Sequence, residues 1–247
     1  MVNWYQHIKE FENESSYLIY IDNFLSKEDL YICQMWLEKR YYSGDFMGET
    51  NKSESRMNTR NRKQMWFQKD GQYFCPKWKE RHPRWQSKDY DPLLIYIQNN
   101  VKNLLMNNEI FSELGLNFNK VKDKHIDTKF DFNSCLVNVY EDGNEGISPH
   151  RDNMDSFGMY PTIVGLSIGA TRKMKIQKII YDEDNSLSLK VDPNPDNKGL
   201  SMEFPLENNS LFIMMGASQK YYTHEIIKEP YIQEKRFSFT FRHWKHT

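Results

Sequence analysis

Hydrophobic positions with helical spacing dominate the first half of the chain. After a short apolar stretch at residues 17–21, which predicts a strand, a stripe of apolar side chains predicts a helix over residues 27–40. Ser26 precedes that stripe, with an acidic residue three positions later, which is typical of a helix N-terminus. A second stripe predicts a helix over residues 92–106, because Pro92 suits a first helical turn. We expect the stripe of the first helix to face a sheet and the apolar side chains of the second helix to form its buried face.

The second half of the chain alternates between short apolar runs and polar turns. The runs lie at residues 134–140, 162–168, 173–178, 186–191, 200–204, 210–215 and 236–244. Short strands separated by turn residues are typical of an all-β sandwich or barrel. The predicted fold class is therefore α+β, with helices and a few strands first and a double-stranded β-helix (jelly roll) core second. We expect one compact unit, with an α/β segment over residues 1–130 and the jelly-roll core over residues 131–247.

Composition narrows the class of protein. The 247 residues suffice for one domain with a substantial core, and an aromatic content of 15% argues against disorder. The three cysteines are far apart, so we expect neither a disulfide framework nor a cysteine-bound zinc. The N-terminus lacks the apolar core of a signal peptide, and no apolar run is long enough for a membrane span. We expect an intracellular protein, in the cytoplasm or the nucleus, and a monomer.

A His-x-Asp motif gives the sharpest chemical signal. Side chains two positions apart in an extended backbone point to the same side, so His150 and Asp152 can bind one ion together. A distant histidine, for which His224 is the best candidate, would complete a two-histidine, one-carboxylate face with open positions. His125 and Asp127 repeat the spacing in a polar stretch, and an isolated motif of this kind is more often a solvated turn. The strand-rich surroundings of His150 favour it over His125.

Alternation in the last apolar run indicates buried arginines. Phe237, Phe239 and Phe241 would face one side of a strand, into an apolar core. The other side would carry Arg236, Ser238, Thr240 and Arg242. Two buried guanidinium groups need anionic partners, which a small dicarboxylate would supply, whereas an ordinary half-exposed strand is the alternative. Asn138 and Tyr140 alternate with valines in an earlier run and would add neutral hydrogen bonds to a carboxylate, or make structural ones only.

Taken in order, these motifs resemble the signature of the AlkB family of dioxygenases. The resemblance spans residues 132–242 and rests on the Asn138-x-Tyr140, His150-x-Asp152, His224 and Arg236-x-Ser238-x-Thr240-x-Arg242 motifs. It implies an enzyme that uses Fe(II), 2-oxoglutarate as co-substrate and O2, with the iron bound by His150, Asp152 and His224. It also implies oxidation of an alkyl carbon on a nucleic-acid base, with release of aldehyde, succinate and carbon dioxide.

The resemblance further implies how the co-substrate binds. The distal carboxylate of 2-oxoglutarate would meet Arg236, with Asn138 and Tyr140 nearby, and Arg242 would lie near the metal-bound end. The remaining polar positions of the same motif, Ser238 and Thr240, are also predicted to contact the co-substrate.

The chain departs from the family pattern at two positions. Some repair members have asparagine where this chain has Ser238, so that contact would be weaker or mediated by water. Repair members often place an acid two residues after the metal aspartate, where this chain has Met154, with Asp155 one position later. The favoured base therefore stays open.

Positive charge and aromatic side chains concentrate between residues 56 and 88. Ten Lys/Arg against two Asp/Glu give this segment a charge of +8, which leaves −9 for the rest of a chain with net charge −1. Basic side chains neutralise phosphates and aromatic rings stack on bases, although a solvated charged flap with its aromatics packed beneath it explains the composition equally well. Residues 66–73 resemble the family's nucleotide-recognition lid, which we place at about residues 45–90.

The predicted partner is therefore nucleic acid with alkylated bases, with single strands favoured because no base pair must be broken. Trp66 or Tyr73 would stack on an extruded base. The other predicted substrate contacts are Arg60, Arg62, Lys63, Arg151, Asp155 and Arg172. A hydroxylase or demethylase of a protein or small molecule is the rival with the same fold, and the basic aromatic segment argues against it. A non-catalytic nucleic-acid-binding module is the second rival, and the complete metal and arginine set argues against that one.

Overall fold

Two β-sheets and a pair of long helices make up most of the described part of the chain. The computed structural model describes residues 3–10, 13–48, 62–69, 86–107, 130–180, 189–191 and 201–245. The strands are β1 (Trp4–Lys9), β2 (Ser15–Ile21), β3 (Gln64–Gln68), β4 (Ser87–Lys88), β5 (Ser134–Tyr140), β6 (Ile147–His150), β7 (Ile163–Gly169), β8 (Arg172–Lys178), β9 (Ser201–Leu206), β10 (Ser210–Gly216), β11 (Tyr222–Ile226) and β12 (Arg236–Arg242). The helices are α1 (Lys27–Tyr42), α2 (Pro92–Met106), α3 (Met154–Phe157) and α4 (Ser218–Tyr221).

The strands form a larger and a smaller sheet. The larger sheet has the order β1-β2-β10-β7-β12-β5-β3-β4, and the smaller sheet has the order β6-β11-β8-β9. The prediction of an α+β chain with a two-sheet jelly-roll core is confirmed. The predicted runs correspond to β5, β7, β8, β9, β10 and β12, except that the run at 186–191 lies mostly outside the described residues.

Helix α1 begins where the sequence predicts. The Ser26 hydroxyl accepts a hydrogen bond from the backbone N–H of Asp29 at 3.0 Å and thereby caps the first turn. Asp91 caps α2 in the same way, through a 3.1 Å bond from a first-turn N–H. The same carboxylate accepts hydrogen bonds from Trp36 and Arg40, so it also ties α2 to α1. Among the described residues, no helix is long and apolar enough to cross a membrane.

The two faces of the larger sheet pack against different partners. Phe237, Phe239 and Phe241 of β12 are buried in one cluster with Cys33 and Leu37 of α1, which confirms the predicted apolar face. On the opposite face, side chains of β2, β5, β7 and β10 form a second cluster with side chains of the smaller sheet. Because neighbouring residues of a strand point to opposite faces, the polar positions of β12 point into the space between the sheets.

The predicted division of the chain at residue 130 stays a prediction. Strands β1, β2 and β3 belong to the same larger sheet as β5 and β12, so the first segment contributes directly to the core sheet. Of the lid predicted at about residues 45–90, the structure describes residues 45–48, 62–69 and 86–90.

Candidate active site

Two neighbouring strands of the smaller sheet bring the predicted metal ligands together. Strands β6 and β11 pair antiparallel with His150 directly opposite His224, and the two imidazole centroids are 4.2 Å apart. Asp152 follows β6, and one ligand atom from each of the three side chains lies within 4.8 Å of the others. Both histidines lie within strands. The arrangement presents the two-histidine, one-carboxylate face that suits Fe(II) with open positions.

Burial keeps both histidines in the neutral form that binds a metal. It lowers the pKa of His150, and, together with the nearby His150, it lowers the pKa of His224 to about 3. His150 donates its Nδ1 hydrogen to the Ser148 carbonyl at 2.9 Å, because a carbonyl can only accept, and this leaves a lone pair on Nε2. The Nδ1 atom of His224 has no hydrogen-bond partner among the described residues, so this ring retains capacity for an external partner.

Side chains from other elements hold Asp152 ionised and oriented. Burial opposes its ionisation, but the Arg242 guanidinium outweighs burial and lowers the pKa of Asp152 to about 2. Arg242 donates to both carboxylate oxygens, at 2.5 Å from Nε and 3.1 Å from Nη2. The backbone N–H of Asp152 donates to the Gln219 side-chain oxygen at 2.9 Å, and the Phe157 ring covers the Arg242 guanidinium. The larger sheet thus fixes, through Arg242, a metal ligand of the smaller sheet.

The arginine at the other end of β12 has no acidic partner among the described residues. Arg236 is 3% exposed, and its Nη2 donates to the Ser167 hydroxyl at 2.9 Å. Within the described part of the chain, its Nε and Nη1 have no hydrogen-bond partner. Its guanidinium carbon lies 5.1 Å from the Tyr140 ring centroid, and Ser238 lies opposite Asn138 on β5. A buried cation with two unpaired nitrogens needs an anion, for which a carboxylate has the right geometry.

The residues present fit both groups that the resemblance implies. At one end of the inter-sheet space, neutral imidazoles and an ionised carboxylate suit Fe(II). At the other end, the unpaired nitrogens of Arg236 suit the distal carboxylate of 2-oxoglutarate. Ser238 and Thr240 lie on the same face of β12, between the two arginines, the first buried and the second partly buried.

Trp66 lies on the inner face of the larger sheet, where its ring is buried. It is 2% exposed and packs in a cluster with Leu136, Phe157 and Trp244. Trp66 is paired with Leu136, which lies two positions before Asn138 on β5. The cluster therefore forms an apolar wall beside the pocket, and stacking of Trp66 on a base stays a prediction.

Arg62 and Lys63 have quite different surroundings, although they are adjacent in sequence. Arg62 is 7% exposed and donates to the Asn138 side chain, whereas the Lys63 side chain is 44% exposed and forms a 3.0 Å ion pair with Glu141. The enclosure of Arg62 corrects the prediction that this residue neutralises a phosphate, whereas a phosphate contact of the more exposed Lys63 stays a prediction. Three other residues from the sequence predictions, Arg60, Tyr73 and the alternative metal ligand His125, lie outside the described residues.

Arg172 was predicted to contact substrate, and the structure corrects this too. Its side chain is buried, and its guanidinium lies 3.4 Å from the Glu229 carboxylate. It also donates to the backbone carbonyls of Asp142, Gly143, Glu145 and Ile227. Because protein oxygens surround it, Arg172 stabilises the loop that leads into β6 instead of binding a ligand.

Arg151 and Asp155 flank the metal aspartate. Arg151 donates to the Lys220 carbonyl at 3.2 Å. Asp155 is exposed in the first turn of α3, where the Asn153 side chain accepts its backbone N–H at 2.7 Å. The Asp155 carboxylate thus lies three positions from Asp152 on an accessible turn, and contacts of Arg151 and Asp155 with substrate stay predictions.

Sequence reasoning missed the residues that support the ligands. Gln219 and Phe157 lie in helices of four residues, which are too short to show a periodic pattern. Arg62 carried an available signal, because it alternates with Gln64 and Trp66 and therefore lies on their face of the chain. Prediction of β3 as a strand would have placed Arg62 in the pocket.

Comparison with known proteins supports the same assignment. A family model described as the 2OG-Fe(II) oxygenase superfamily matches residues 17–242. The alkB homolog 3 dioxygenase of Rattus norvegicus is 35% identical over 111 residues, which are 45% of this chain and 35% of that protein. The DNA oxidative demethylase ALKBH2 of Arabidopsis thaliana is 29% identical over 118 residues, which are 45% of this chain and 37% of that protein. The matches thus span little more than a third of these curated relatives.

Solved structures show the same fold at low sequence identity. The structure of OsALKBH1 has a TM-score of 0.58 and 16% identity, with 91% of this chain and 97% of that chain covered. A prolyl hydroxylase of Trichoplax adhaerens, in complex with a hypoxia inducible factor peptide, has a TM-score of 0.54 and 14% identity, with 92% of this chain and 83% of that chain covered. The resemblance to AlkB-type proteins is confirmed, and the chain belongs to the 2OG-Fe(II) oxygenase superfamily.

Proposed function

We propose that the protein is an Fe(II)- and 2-oxoglutarate-dependent dioxygenase that removes alkyl groups from nucleic-acid bases, with release of aldehyde, succinate and carbon dioxide. One observation carries this proposal: the face formed by His150, Asp152 and His224 shares an inter-sheet space with the buried Arg236, whose Nε and Nη1 have no hydrogen-bond partner among the described residues. The first supplies ligands for a metal, and the second supplies an anchor for a carboxylate. An oxidation that consumes 2-oxoglutarate needs both.

The three predicted metal ligands already have the protonation states that metal binding requires. His150, Asp152 and His224 would hold the iron, which supplies, when bound, the oxidation of the alkyl carbon by O2 with 2-oxoglutarate as co-substrate. Burial keeps the imidazoles neutral, so no proton must leave them for binding. Arg242 keeps Asp152 ionised and fixes its plane.

The opposite end of the pocket binds and orients the co-substrate. Arg236 would hold the distal carboxylate through Nε and Nη1, which have no hydrogen-bond partner among the described residues. The register of β12 and β5 brings Ser238 opposite Asn138 on the same lining. The Tyr140 ring lies against the Arg236 guanidinium. Arg236 and the metal face lie at opposite ends of the pocket, so the two carboxylates of a dicarboxylate would have one binding group each.

An apolar wall protects the reacting end from water. Trp66, Leu136, Phe157 and Trp244 form this wall, and Phe157 also contacts the Arg242 guanidinium. Exclusion of water strengthens the electrostatic contacts inside the pocket and limits side reactions.

A nucleic-acid substrate is supported by the relatives and by charge. One relative is described as a DNA oxidative demethylase, and residues 56–88 of this chain have a charge of +8. Basic side chains bind phosphates through release of counterions. We include in the proposal a preference for single strands, since an unpaired base is extruded at lower cost, and a monomeric enzyme.

Mass spectrometry of methylated oligonucleotides tests the proposal. Wild-type protein is incubated with Fe(II), 2-oxoglutarate and ascorbate and with single-stranded DNA, single-stranded RNA or duplex DNA, and His224→Ala is the matched control. We expect loss of methyl groups together with succinate formation, fastest on single strands and absent in the control. Succinate formation without any change in the bases would favour a protein or small-molecule hydroxylase. Binding of oligonucleotides without succinate would favour a non-catalytic module.

A further inference from the structure

Three arginines surround the ring of Tyr140. The guanidinium carbons of Arg236, Arg62 and Arg172 lie 5.1, 5.5 and 5.8 Å from the ring centroid. Arg172 is occupied by Glu229 and loop carbonyls, and Arg236 is the anchor described above. The second nearest cation, Arg62, neither stabilises the loop before β6 as Arg172 does nor serves as the anchor of the distal carboxylate.

The contacts of Arg62 link the co-substrate pocket to the metal strand. Its Nε donates to the Asn138 side-chain oxygen at 3.0 Å, and its Nη1 donates to the Gly146 carbonyl at 3.2 Å. Asn138 faces the space between the sheets, opposite Ser238. Gly146 immediately precedes β6, which ends at the metal ligand His150. One buried guanidinium thus bridges the two parts of the site.

The bond from Arg62 determines what Asn138 can offer a ligand. A side-chain amide has a carbonyl that accepts and an NH2 group that donates, and the two lie in one plane and point in different directions from the same carbon. Because Arg62 is a donor only, it holds the amide oxygen of Asn138 on its own side. The NH2 group is then turned the other way and is available to an acceptor such as a carboxylate. Without Arg62, the amide is free to turn its oxygen towards that carboxylate and repel it.

The bond to Gly146 fixes the turn that positions His150. A Cβ atom at Gly146 would lie only 2.6 Å from the backbone carbonyl of Ile226, so this turn lies directly against β11. Strand β11 carries His224, the partner of His150. A donor that holds the Gly146 carbonyl therefore also stabilises the pairing of the two metal-binding strands.

We propose that Arg62 is a positioning residue of the co-substrate pocket, which turns the Asn138 amide towards the dicarboxylate and fixes the turn before His150. The proposal rests on the proposed function, since 2-oxoglutarate is the dicarboxylate. A phosphate contact is the alternative, and the burial of Arg62 with its two protein acceptors speaks against it. The neighbouring Lys63 is more exposed and forms its ion pair with Glu141, so it provides the matched control.

Equilibrium binding of 2-oxoglutarate to the protein loaded with Mn(II) tests the proposal without any turnover. We measure wild type, Arg62→Ala, Asn138→Ala, the double variant Arg62→Ala/Asn138→Ala, and Lys63→Ala as control. We expect Arg62→Ala to raise the Kd for 2-oxoglutarate by about tenfold, as for loss of a bond to a charged group. The double variant should bind about as weakly as Asn138→Ala alone, because Arg62 acts through Asn138. Lys63→Ala should bind like wild type.

Each outcome bears on a different claim. If wild type does not bind 2-oxoglutarate, the proposed function fails before Arg62 is tested. If wild type binds and the effects of the two single substitutions multiply in the double variant, Arg62 does not act through Asn138 and the inference is overturned. An unchanged Kd in Arg62→Ala, together with a flatter salt dependence of oligonucleotide binding, would assign Arg62 to phosphate instead.

A conservative variant covers the case in which Arg62→Ala does not fold. Arg62→Lys keeps the charge but has a single donor group, which cannot reach both Asn138 and Gly146 in the geometry of the guanidinium. We expect folded Arg62→Lys to raise the Kd for 2-oxoglutarate severalfold, in the same Mn(II)-loaded assay. A wild-type Kd in Arg62→Lys would overturn the inference, since charge alone would then suffice.

Discussion

Strand β12 supplies one arginine to each end of the inter-sheet pocket, and the two arginines have different partners. At the metal end, Arg242 is paired with both carboxylate oxygens of Asp152. At the opposite end, Arg236 is equally buried but has no acidic partner among the described residues. A buried pair that is neutralised within the protein forms on folding, whereas an unpaired buried cation opposes folding until an anion binds. Arg242 therefore organises the metal end of the site, whereas Arg236 is available to bind a ligand.

Loss of a metal ligand should have the largest effect. Alanine at His150, Asp152 or His224 should abolish iron binding and the conversion of 2-oxoglutarate to succinate, because two ligands no longer define the metal face. Metal content and succinate formation measure the two effects separately. His125→Ala, in the other His-x-Asp motif, is the control and should retain both. Inactivation by His125→Ala, with activity retained in His150→Ala, would show that the wrong motif was chosen.

Removal of Arg242 should destabilise the metal-free protein. Arg242→Met leaves the buried Asp152 without its cation, and breaking a buried pair costs about 3–5 kcal/mol of unfolding free energy. Denaturant unfolding without metal measures the loss. Added Mn(II) should recover more stability in the variant than in wild type, since the ion supplies the missing positive charge. An unchanged unfolding free energy would mean that Asp152 does not depend on Arg242.

Removal of Arg236 should have the opposite signature on the same strand. Arg236→Met deletes a buried cation that has no acidic partner among the described residues, so the unfolding free energy of the ligand-free protein should stay the same or rise. Affinity for 2-oxoglutarate should fall by about 2–5 kcal/mol, as for loss of a buried charge-assisted pair. Isothermal titration of the Mn(II)-loaded variant measures the affinity. Unchanged binding in a folded Arg236→Met protein would place Arg236 outside the pocket.

The two arginines of this comparison could be predicted from the sequence, because alternation along a strand indicates the face on which each side chain lies. Phe237, Phe239 and Phe241 pack against the helices as that alternation predicts, which also directs Arg236 and Arg242 inwards. The metal ligands were recognisable because His150 and Asp152 are two positions apart and His224 has a strand-rich context.

The sequence did not reveal which partner each arginine has. The carbonyls around Arg172 come from loops that are far apart in sequence, so no local sequence pattern predicts these contacts. Strand β6 was not predicted because it is four residues long, lies at a sheet edge and contains the exposed Pro149. Arg62 was assigned to a phosphate because it lies in a basic segment, yet burial and not local charge determines its contacts.

The smallest expected effect is the pH dependence of stability at the metal end. Burial lowers the pKa of His224 to about 3, below the ordinary histidine value of 6.5. Below pH 6.5 the unfolded chain therefore binds a proton that the folded protein does not, and the metal-free protein should lose stability as the pH falls. The slope for one such histidine is about 1.4 kcal/mol per pH unit.

The variant His224→Gln isolates this contribution, because glutamine does not titrate. Denaturant unfolding of metal-free wild type and His224→Gln between about pH 6.5 and pH 5 should show a slope flatter by about one proton in the variant. Groups outside the metal end contribute equally to both proteins and cancel in the difference. Identical slopes would mean that the His224 imidazole is not shielded from protons in the metal-free protein. The metal end would then be open to solvent before the ion binds. The pairing of Arg242 with Asp152 would in that case not make the metal end more enclosed than the end that contains Arg236.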